Sequence, residues 1–406
     1  MTIGDATFAG RWTRAVHAVG NRPFLVFEDA TGSTRTWTYA EFDRVVADVA
    51  GELSARGLRQ GDSLHLCLAN SPAFVALWLA AARLGACMVP SDPRSASREI
   101  AAHLDRSKAV LGVCSLRGEE VYREGVASSG LPCDVVAVDE SDSDVSPLRG
   151  SRPAVTTAAG VSGSTRAAVM FTSGTTSEPK GVVVTQANYA FAGEVMAAAS
   201  ALDADDRQLV VLPLFHANAQ YYSFASAIAV GASVALMSGF SASGFLEQAT
   251  RHRATHASLF AAPMRMILAR EPSPVPGIRL RHLWYAQNIT RDQYEALSGL
   301  LGCRPRQLYG MTETIPAVLT NPALEPVHDA LGDVTLGCHV GLVGVDGTSA
   351  VTPGEVGEIV VGGARGSRLF ESYLDDPVTT EASFRDDWFL TGDLAWRDPD
   401  GRFRFA

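Results

Sequence analysis

The residues best suited to chemistry in this 406-residue chain lie between Ala168 and Val182. An apolar, strand-like run leads there into a loop of Thr, Ser and Gly, which Pro179 and Lys180 close. The hydroxyl and backbone N–H groups of such a loop can donate many hydrogen bonds to a phosphate chain without adding bulk. A flexible polar linker is the alternative. The predicted phosphate-binding residues are Thr172, Ser173, Gly174, Thr175, Thr176 and Lys180.

Two later segments also carry groups that suit a nucleotide. Residues Tyr309–Thr314 place a carboxylate directly after a hydroxyl, behind an aromatic–glycine turn, and such a pair can hold Mg²⁺ while contacting phosphate. An ordinary helix N-terminus capped by Thr and Glu is the alternative. Residues Trp388–Asp393 end in Thr-Gly-Asp, whose carboxylate can accept hydrogen bonds from both hydroxyls of a sugar. Alone, that triplet is also typical of a turn.

In this order, the three segments resemble the adenylate-forming superfamily of acyl-CoA synthetases, luciferases and peptide-synthetase adenylation domains. The loop matches the family signature Tyr/Phe-Thr-Ser-Gly-Thr-Thr-Gly-x-Pro-Lys-Gly except at Ser177, where glycine is usual. The resemblance implies ATP and Mg²⁺ as ligands. It places Tyr309 against adenine, with Gly310 beside it in the ATP site, and Asp393 on the ribose. It assigns Thr312 to the α-phosphate and Glu313 to magnesium. Lys180, Thr312 and Glu313, together with His216, are the predicted catalytic residues.

Two segments between these motifs predict the rest of the site. In acyl-CoA synthetases a Phe-His pair lies beside the acyl pocket, which implies that His216 lines its carboxylate side; a structural histidine is the alternative. No aspartate stands nearby to hold a substrate ammonium, which disfavours an α-amino acid. Ala286 and Gln287 lie where most relatives have a Gly-Gly-Ala-Pro turn against adenine, so we expect a different backbone path or less room.

Crotonobetaine/carnitine-CoA ligases also lack those glycines and are the nearest resemblance in these motifs. An apolar acyl pocket is expected, although core packing alone would explain any one of its walls. The predicted walls are His216, Ala217, Phe260, Ala286, Leu308, Gly310, Ile315 and Pro316.

Composition narrows the class of protein. The formal net charge is −10 and no run of basic residues occurs, so we expect neither nucleic acid nor a membrane as partner. The six cysteines show no metal-ligand spacing and predict reduced thiols in a cytoplasmic protein. The apolar window Phe74–Val89 is too short for a membrane span and predicts a buried helix. The excess of arginine over lysine favours a bacterial source.

Strand and helix patterns alternate through most of the chain. They predict an α/β fold with two layered α/β subdomains and largely parallel sheets over residues 1–320, which carry the ATP and acyl sites. A small β-barrel subdomain is expected over residues 321–406, where short alternating segments are separated by Gly, Pro and Asp. In the resembling family a small mobile C-terminal domain follows, and we expect it to be absent from this chain.

The resemblance implies a two-step reaction, in which ATP activates a carboxylic acid to acyl-AMP and a thiol, that of CoA, then displaces AMP. We expect this chain to bind ATP and the acid, to form adenylate slowly, and not to complete the thioester alone. The acyl acceptor could also be a carrier-protein phosphopantetheine or an amine. The oligomeric state is open as well, and a homodimer is one alternative. The alternative to an enzyme is a nucleotide-binding module that catalyses no reaction.

Overall fold

A computed structural model describes residues 7–143, 145–150, 157–172, 179–344 and 351–406. The helices are α1 Phe8–Val19, α2 Tyr39–Ala55, α3 Pro72–Leu84, α4 Ser97–Ser107, α5 Glu119–Ser129, α6 Gln186–Ser200, α7 Ala225–Val230, α8 Phe245–Arg251, α9 Ala261–Leu268, α10 Arg291–Leu301 and α11 Pro377–Ala382. The strands are β1 Pro23–Glu28, β2 Thr34–Thr38, β3 Ser63–Cys67, β4 Cys87–Ser91, β5 Leu111–Ser115, β6 Asp134–Val138, β7 Arg166–Thr172, β8 Lys180–Thr185, β9 Arg207–Val210, β10 Ser233–Met237, β11 His256–Phe260, β12 His282–Ala286, β13 Arg306–Tyr309, β14 Leu319–Thr320, β15 Asp333–Val334, β16 His339–Val343, β17 Gly357–Gly362, β18 Phe384–Arg385, β19 Trp388–Arg397 and β20 Phe403–Phe405.

Within these ranges the strands form three sheets. The first sheet has the order β6-β5-β3-β4-β7-β8 and is parallel except for the last pair. The second has the order β15-β14-β13-β12-β11-β9-β10-β1-β2 and is parallel from β13 to β1. The third is antiparallel, with the order β16-β17-β19-β18 and β20 paired to β19. The predicted fold class, two α/β subdomains with a small C-terminal β subdomain, is therefore confirmed.

Local signals in the sequence explain where the helices begin and end. Thr38 caps α2 in a reciprocal capping box with Glu41, as the sequence predicts. Ser71 caps α3, Pro72 occupies its first turn, and Gly85 ends it in a left-handed conformation with φ of 69°. Every residue of α3 is buried, which confirms the predicted buried helix. No helix in the described ranges has the length and apolar character needed to cross a bilayer.

The first strand of the chain belongs to the second sheet, not the first. β1 pairs in parallel with β10, with Leu25 opposite Val234 and Phe27 opposite Leu236. At the other edge, β14 and β15 carry the second sheet on to Val334, beyond the predicted boundary at residue 320. The two layered subdomains are therefore interleaved along the chain, because their strands are not drawn from two consecutive stretches of sequence.

The third sheet closes against the second at its C-terminal end. The sequence Asp398-Pro-Asp-Gly401 predicts a hairpin turn. Asp398 and Gly401 form that turn between β19 and β20, joined by a backbone hydrogen bond of 2.9 Å. The Leu331 amide donates to the Phe403 carbonyl at 2.8 Å, which ties β20 to the loop before β15. All six cysteines are free thiols, and three of them are buried.

Candidate active site

The ends of the predicted phosphate loop lie side by side. Thr172, the last residue of β7, pairs with Lys180, the first residue of β8, in an antiparallel register. The Thr172 hydroxyl donates to the Lys180 carbonyl at 3.4 Å. The other predicted loop residues, which are Ser173, Gly174, Thr175 and Thr176, lie outside the described residues. The register fixes where the loop begins and ends, and it places Lys180 at the end of a strand that is buried from its second residue onward.

Tyr373 connects the two predicted catalytic charges. The Lys180 ammonium lies 4.8 Å from the centroid of the Tyr373 ring, a cation–π distance. The Tyr373 hydroxyl donates to Glu313 Oε1 at 3.0 Å. The backbone holds the same segment in place, because Tyr373 bridges to Val182 in β8 and the Phe370 amide donates to the Glu313 carbonyl at 2.9 Å. Lys180 and Glu313, 133 positions apart in the sequence, therefore share one aromatic neighbour.

Glu313 is a buried carboxylate, with 5% of its surface exposed. Burial raises its pKa above the usual value, while the Tyr373 hydrogen bond and the Lys180 ammonium lower it. A buried carboxylate gains from a cation, so this residue fits the predicted Mg²⁺ ligand. Within the described ranges no group of three or more His, Cys, Asp or Glu side chains could hold a metal by itself. Mg²⁺ held at Glu313 would therefore take its remaining ligands from phosphate and water, as Mg²⁺ commonly does.

The two residues predicted for adenine and ribose touch each other. The Tyr309 hydroxyl, at the end of β13, donates to Asp393 Oδ2 in β19 at 2.7 Å. The Tyr309 ring meets Phe405 edge to face, with centroids 5.6 Å apart. This contact brings the third sheet against the end of the second, so that an aromatic ring and a carboxylate lie together where the sequence places the nucleoside.

Gly310 is required by close packing. A Cβ atom there would lie 3.0 Å from Ala317 Cα, the Pro316 carbonyl oxygen and the Tyr222 hydroxyl. Two of these three neighbours are backbone atoms that cannot move aside cheaply. The glycine therefore lets the Tyr309–Thr314 segment pass close to the chain that follows it.

A cavity of about 250 Å³ lies beside this segment. Six of the eight predicted acyl-pocket residues line it, and Thr312 joins it to the charged side of the site, since Glu313 follows directly in the chain. Its lining residues are His216, Ala217, Asn218, Tyr222, Phe260, Ala286, Leu308, Gly310, Met311 and Thr312. An apolar cleft and a phosphate-type site are thus continuous through one peptide segment.

Ile315 and Pro316, also predicted as walls, do not line this cavity. Ile315 is fully buried in the main hydrophobic core and has a φ of 71°. A β-branched residue in the left-handed region is strained, so the surrounding packing must hold it. This backbone turn directs the chain after Glu313 into the core, a change of direction that residue type alone does not reveal.

Gln287 lies directly after β12, where the sequence predicts a different backbone path or less room. It adopts a φ of 73°, the left-handed conformation that glycine favours, although its side chain is not glycine. The turn after β12 therefore places a non-glycine residue in a conformation that glycine adopts more easily. This costs the folded state about 1–2 kcal/mol. Ala286 immediately before it lines the cavity.

Four cavity residues are not among the predicted walls: Thr312, which the sequence assigns to phosphate, and Asn218, Tyr222 and Met311. Asn218 and Tyr222 lie on a π-helical stretch, Asn218–Phe224, and such stretches occur often at functional sites. Asn218 Oδ1 is buried and has no hydrogen-bond partner. The only sequence signal was the position of Asn218 two residues after His216, because a π-helix has no recognisable pattern at this length.

His216 lies at the mouth of the cavity. Partial burial lowers its pKa below the usual value, and the Asp92 carboxylate opposes that effect. The ring packs against Phe215, with centroids 4.2 Å apart. A neutral imidazole at this place can accept or donate a hydrogen bond without adding a charge beside the apolar walls.

Comparison with known proteins agrees with this geometry. Residues 12–374 match the model of the AMP-binding enzyme family. The chain is 30% identical over 422 residues to a crotonobetaine/carnitine-CoA ligase of Salmonella paratyphi C, a match that covers all of this chain and 80% of the relative.

Solved structures with the same fold include the N-terminal domain of FACL13 from Mycobacterium tuberculosis, with a TM-score of 0.89, 23% identity and 99% coverage of both chains. A benzoate CoA ligase from Burkholderia xenovorans LB400 has a TM-score of 0.88 and 21% identity, over 98% of this chain and 79% of that one. The family match spans Lys180, Glu313 and Tyr373 as well as the cavity. This chain belongs to the AMP-binding enzyme family.

Proposed function

We propose that this chain activates a carboxylic acid with ATP, forming acyl-AMP and pyrophosphate, and that the acyl group then passes to the thiol of CoA. The observation that carries the proposal is that Thr312 lines the cavity while the next residue, Glu313, belongs to the Lys180–Tyr373–Glu313 cluster. A carboxylate seated in the cavity would face a bound α-phosphate there. Its oxygen attacks the α-phosphorus, and the bond to the pyrophosphate oxygen breaks.

The chain's own residues would act mainly by charge and position. Lys180 would stabilise the negative charge that moves onto the leaving pyrophosphate, because phosphoryl chemistry depends largely on such electrostatic stabilisation. Glu313 would hold Mg²⁺, which supplies further charge neutralisation when bound. Tyr309 and Asp393 would bind the nucleoside, and Thr312 the phosphate. The hydrogen bond from Tyr373 supports the ionised form of Glu313, as its effect on the pKa of that carboxyl shows.

The cavity points to a compact acid. Its volume of about 250 Å³ lies below the range of about 300–1,000 Å³ typical of pockets for drug-sized ligands. A small aromatic or short branched acid fits such a space better than a long acyl chain. An acid that also carries a neutral hydrogen-bond donor would gain from Asn218 if that side chain rotates, because its Oδ1 is buried without a partner and is not exposed to the cavity.

The acceptor in the second step is the thiol of CoA, which the naming of related proteins as CoA ligases supports. A carrier-protein phosphopantetheine is the competing acceptor. Thiolysis would be the same in both cases: the thiol sulfur attacks the acyl carbon, AMP leaves, and the thiol proton passes to solvent.

The first test is acid-dependent exchange of labelled pyrophosphate into ATP, measured with a panel of compact carboxylic acids. We expect exchange with a subset of them and none without acid. Mass spectrometry after addition of CoA or of a phosphopantetheinylated carrier then identifies the acceptor, and acyl-AMP that persists with both would match the expectation that this chain does not complete the thioester alone. ATP binding without exchange for any acid in the panel would refute acid activation and leave a nucleotide-binding module.

A further inference from the structure

Helix α4 contacts both ends of the predicted phosphate loop. The Arg106 guanidinium donates a hydrogen bond to the carbonyl of Pro179, which directly precedes β8. The same guanidinium lies 5.0 Å from the ring centroid of Phe171 in β7. His103 stacks on that ring as well, with centroids 4.2 Å apart and planes only 6° from parallel.

The spacing of these two residues explains how one helix can do this. His103 and Arg106 are three positions apart in α4, so they lie on one face of the helix. Phe171 comes one residue before Thr172, and Pro179 one residue before Lys180. The helix face therefore contacts the chain next to both described residues of the predicted phosphate site.

A buried network holds His103 in place. His103 Nδ1 and the Ser91 hydroxyl are 2.7 Å apart, and the same hydroxyl lies 2.8 Å from His65 Nε2. His65 Nδ1 in turn lies 2.7 Å from the Tyr122 hydroxyl. Hydrogen bonds on both nitrogens of His65 fix its ring, so the chain of contacts runs from the core of the first sheet to Phe171.

The two imidazoles in this network stay neutral at ordinary pH. Burial lowers the pKa of His103 to about 4 and that of His65 to about 3. Of the charged groups near His103, Glu99 raises its pKa and Arg106 lowers it. A neutral ring stacks on Phe171 without a desolvated charge, so the support is insensitive to pH over the physiological range.

We propose that His103 and Arg106 are positioning residues for ATP: through Phe171 and Pro179 they fix the separation and orientation of Thr172 and Lys180. This inference rests on the proposed function. It adds that residues outside the nucleotide site hold the ends of the phosphate loop in position. Neither residue needs to touch the nucleotide. Loss of the support should therefore weaken ATP binding and leave the acid site unaffected.

The test compares Arg106→Gln with Arg98→Gln in ATP–pyrophosphate exchange and in direct ATP binding. Arg98 is an exposed residue of the same helix, so its substitution removes the same charge without touching the loop. We expect Arg106→Gln to raise the KM and Kd for ATP about tenfold, as loss of a charge-assisted hydrogen bond implies. The KM for the acid and the Tm should match those of Arg98→Gln.

His103→Ala and His103→Phe separate stacking from general destabilisation. Phenylalanine keeps an aromatic ring against Phe171, so it should restore most of the ATP affinity that alanine loses. The inference falls if Arg106→Gln and His103→Ala leave the KM for ATP within twofold of wild type. The inference also falls if these variants raise the KM values for both ATP and the acid and lower the Tm, because that result would show general destabilisation. Wild-type protein that binds no ATP would refute the proposed function itself.

Discussion

The nucleotide side of the site and the acyl cavity are built in opposite ways. On the proposed nucleotide side, three charged groups have partners: Lys180 has the Tyr373 ring, Glu313 the Tyr373 hydroxyl, and Asp393 the Tyr309 hydroxyl. The cavity has mostly apolar walls and one amide oxygen, on Asn218, that has no partner. The charged groups of the first region are therefore held before a ligand arrives, whereas the second keeps one buried acceptor without a hydrogen bond.

This difference bears on selectivity. Apolar walls discriminate weakly, by about 1–3 kcal/mol per methylene, whereas an unpaired buried polar group rejects a ligand that fails to satisfy it much more strongly. The nucleotide side serves every acid alike. The choice of acid should depend on Asn218 more than on the hydrophobic residues around it if the buried Oδ1 turns toward the cavity when the acid binds.

The largest effect is expected from Lys180→Ala. If Lys180 stabilises the leaving pyrophosphate as proposed, removing its charge should slow exchange by about 100-fold or more. The chain offers a matched control, Lys108→Ala, because Lys108 is the only other lysine in the sequence and forms an exposed ion pair with Asp105. Exchange kinetics for both variants test the assignment, and equal rates for the two would remove Lys180 from the mechanism.

A smaller effect should follow from Tyr373→Phe, which keeps the ring near Lys180 but removes the hydrogen bond to Glu313. We expect exchange to fall about tenfold. That hydrogen bond lowers the pKa of Glu313, so its loss raises the pKa further above the usual value. The carboxylate is then protonated at higher pH, and the acidic limb of the pH–rate profile should move upward. A profile with an unmoved acidic limb would show that Glu313 does not limit the rate there.

Asn218→Leu tests the cavity. Leucine removes the unpartnered amide, so the free energy of unfolding should rise by about 1 kcal/mol while kcat/KM for a polar acid falls about tenfold. The KM for ATP should stay unchanged. Ser258→Ala is the control, because the Ser258 hydroxyl is also buried without a partner but does not line the cavity. Denaturant titration measures the change in stability, and kinetics with the acid measure the change in kcat/KM. A lower ATP affinity of Asn218→Leu would show that the cavity and the nucleotide side are not independent.

The smallest effect is expected from Gln287→Gly. Glycine adopts the observed φ of 73° without steric cost, so the free energy of unfolding should rise by up to about 1 kcal/mol. Gln287→Ala provides the comparison, since alanine keeps the Cβ atom and hence the strain. Thermal unfolding of both variants measures the difference. Equal Tm values would mean that the positive φ at position 287 does not destabilise the folded protein.

The sequence predicted contacts that depend on local chemistry. The capping box at Thr38 and the turn at Asp398 could both be read from short patterns, since neighbouring residues determine them. The predicted roles of Lys180 and Glu313 stay predictions, although the structure brings the two close to one tyrosine.

Long-range features could not be read in this way. Tyr373 lies 60 residues after Glu313, and no pattern around it distinguishes it from any partly apolar segment. Ile315 resembles a pocket residue by type, but a left-handed φ turns the chain into the core. The contacts of His103 depend on how α4 packs against β7, which only the assembled first sheet determines.

The interleaved first strand has a consequence for how the protein is made. β1 has five buried residues of six and finds its parallel partner β10 roughly 200 residues later. At translation rates of about 5–20 residues per second, that partner follows about 10–40 seconds behind. During that time β1 has only its hairpin partner β2, so its other, apolar edge is exposed to aggregation. Production in cells should therefore depend on chaperone capacity, and more so at high expression rates.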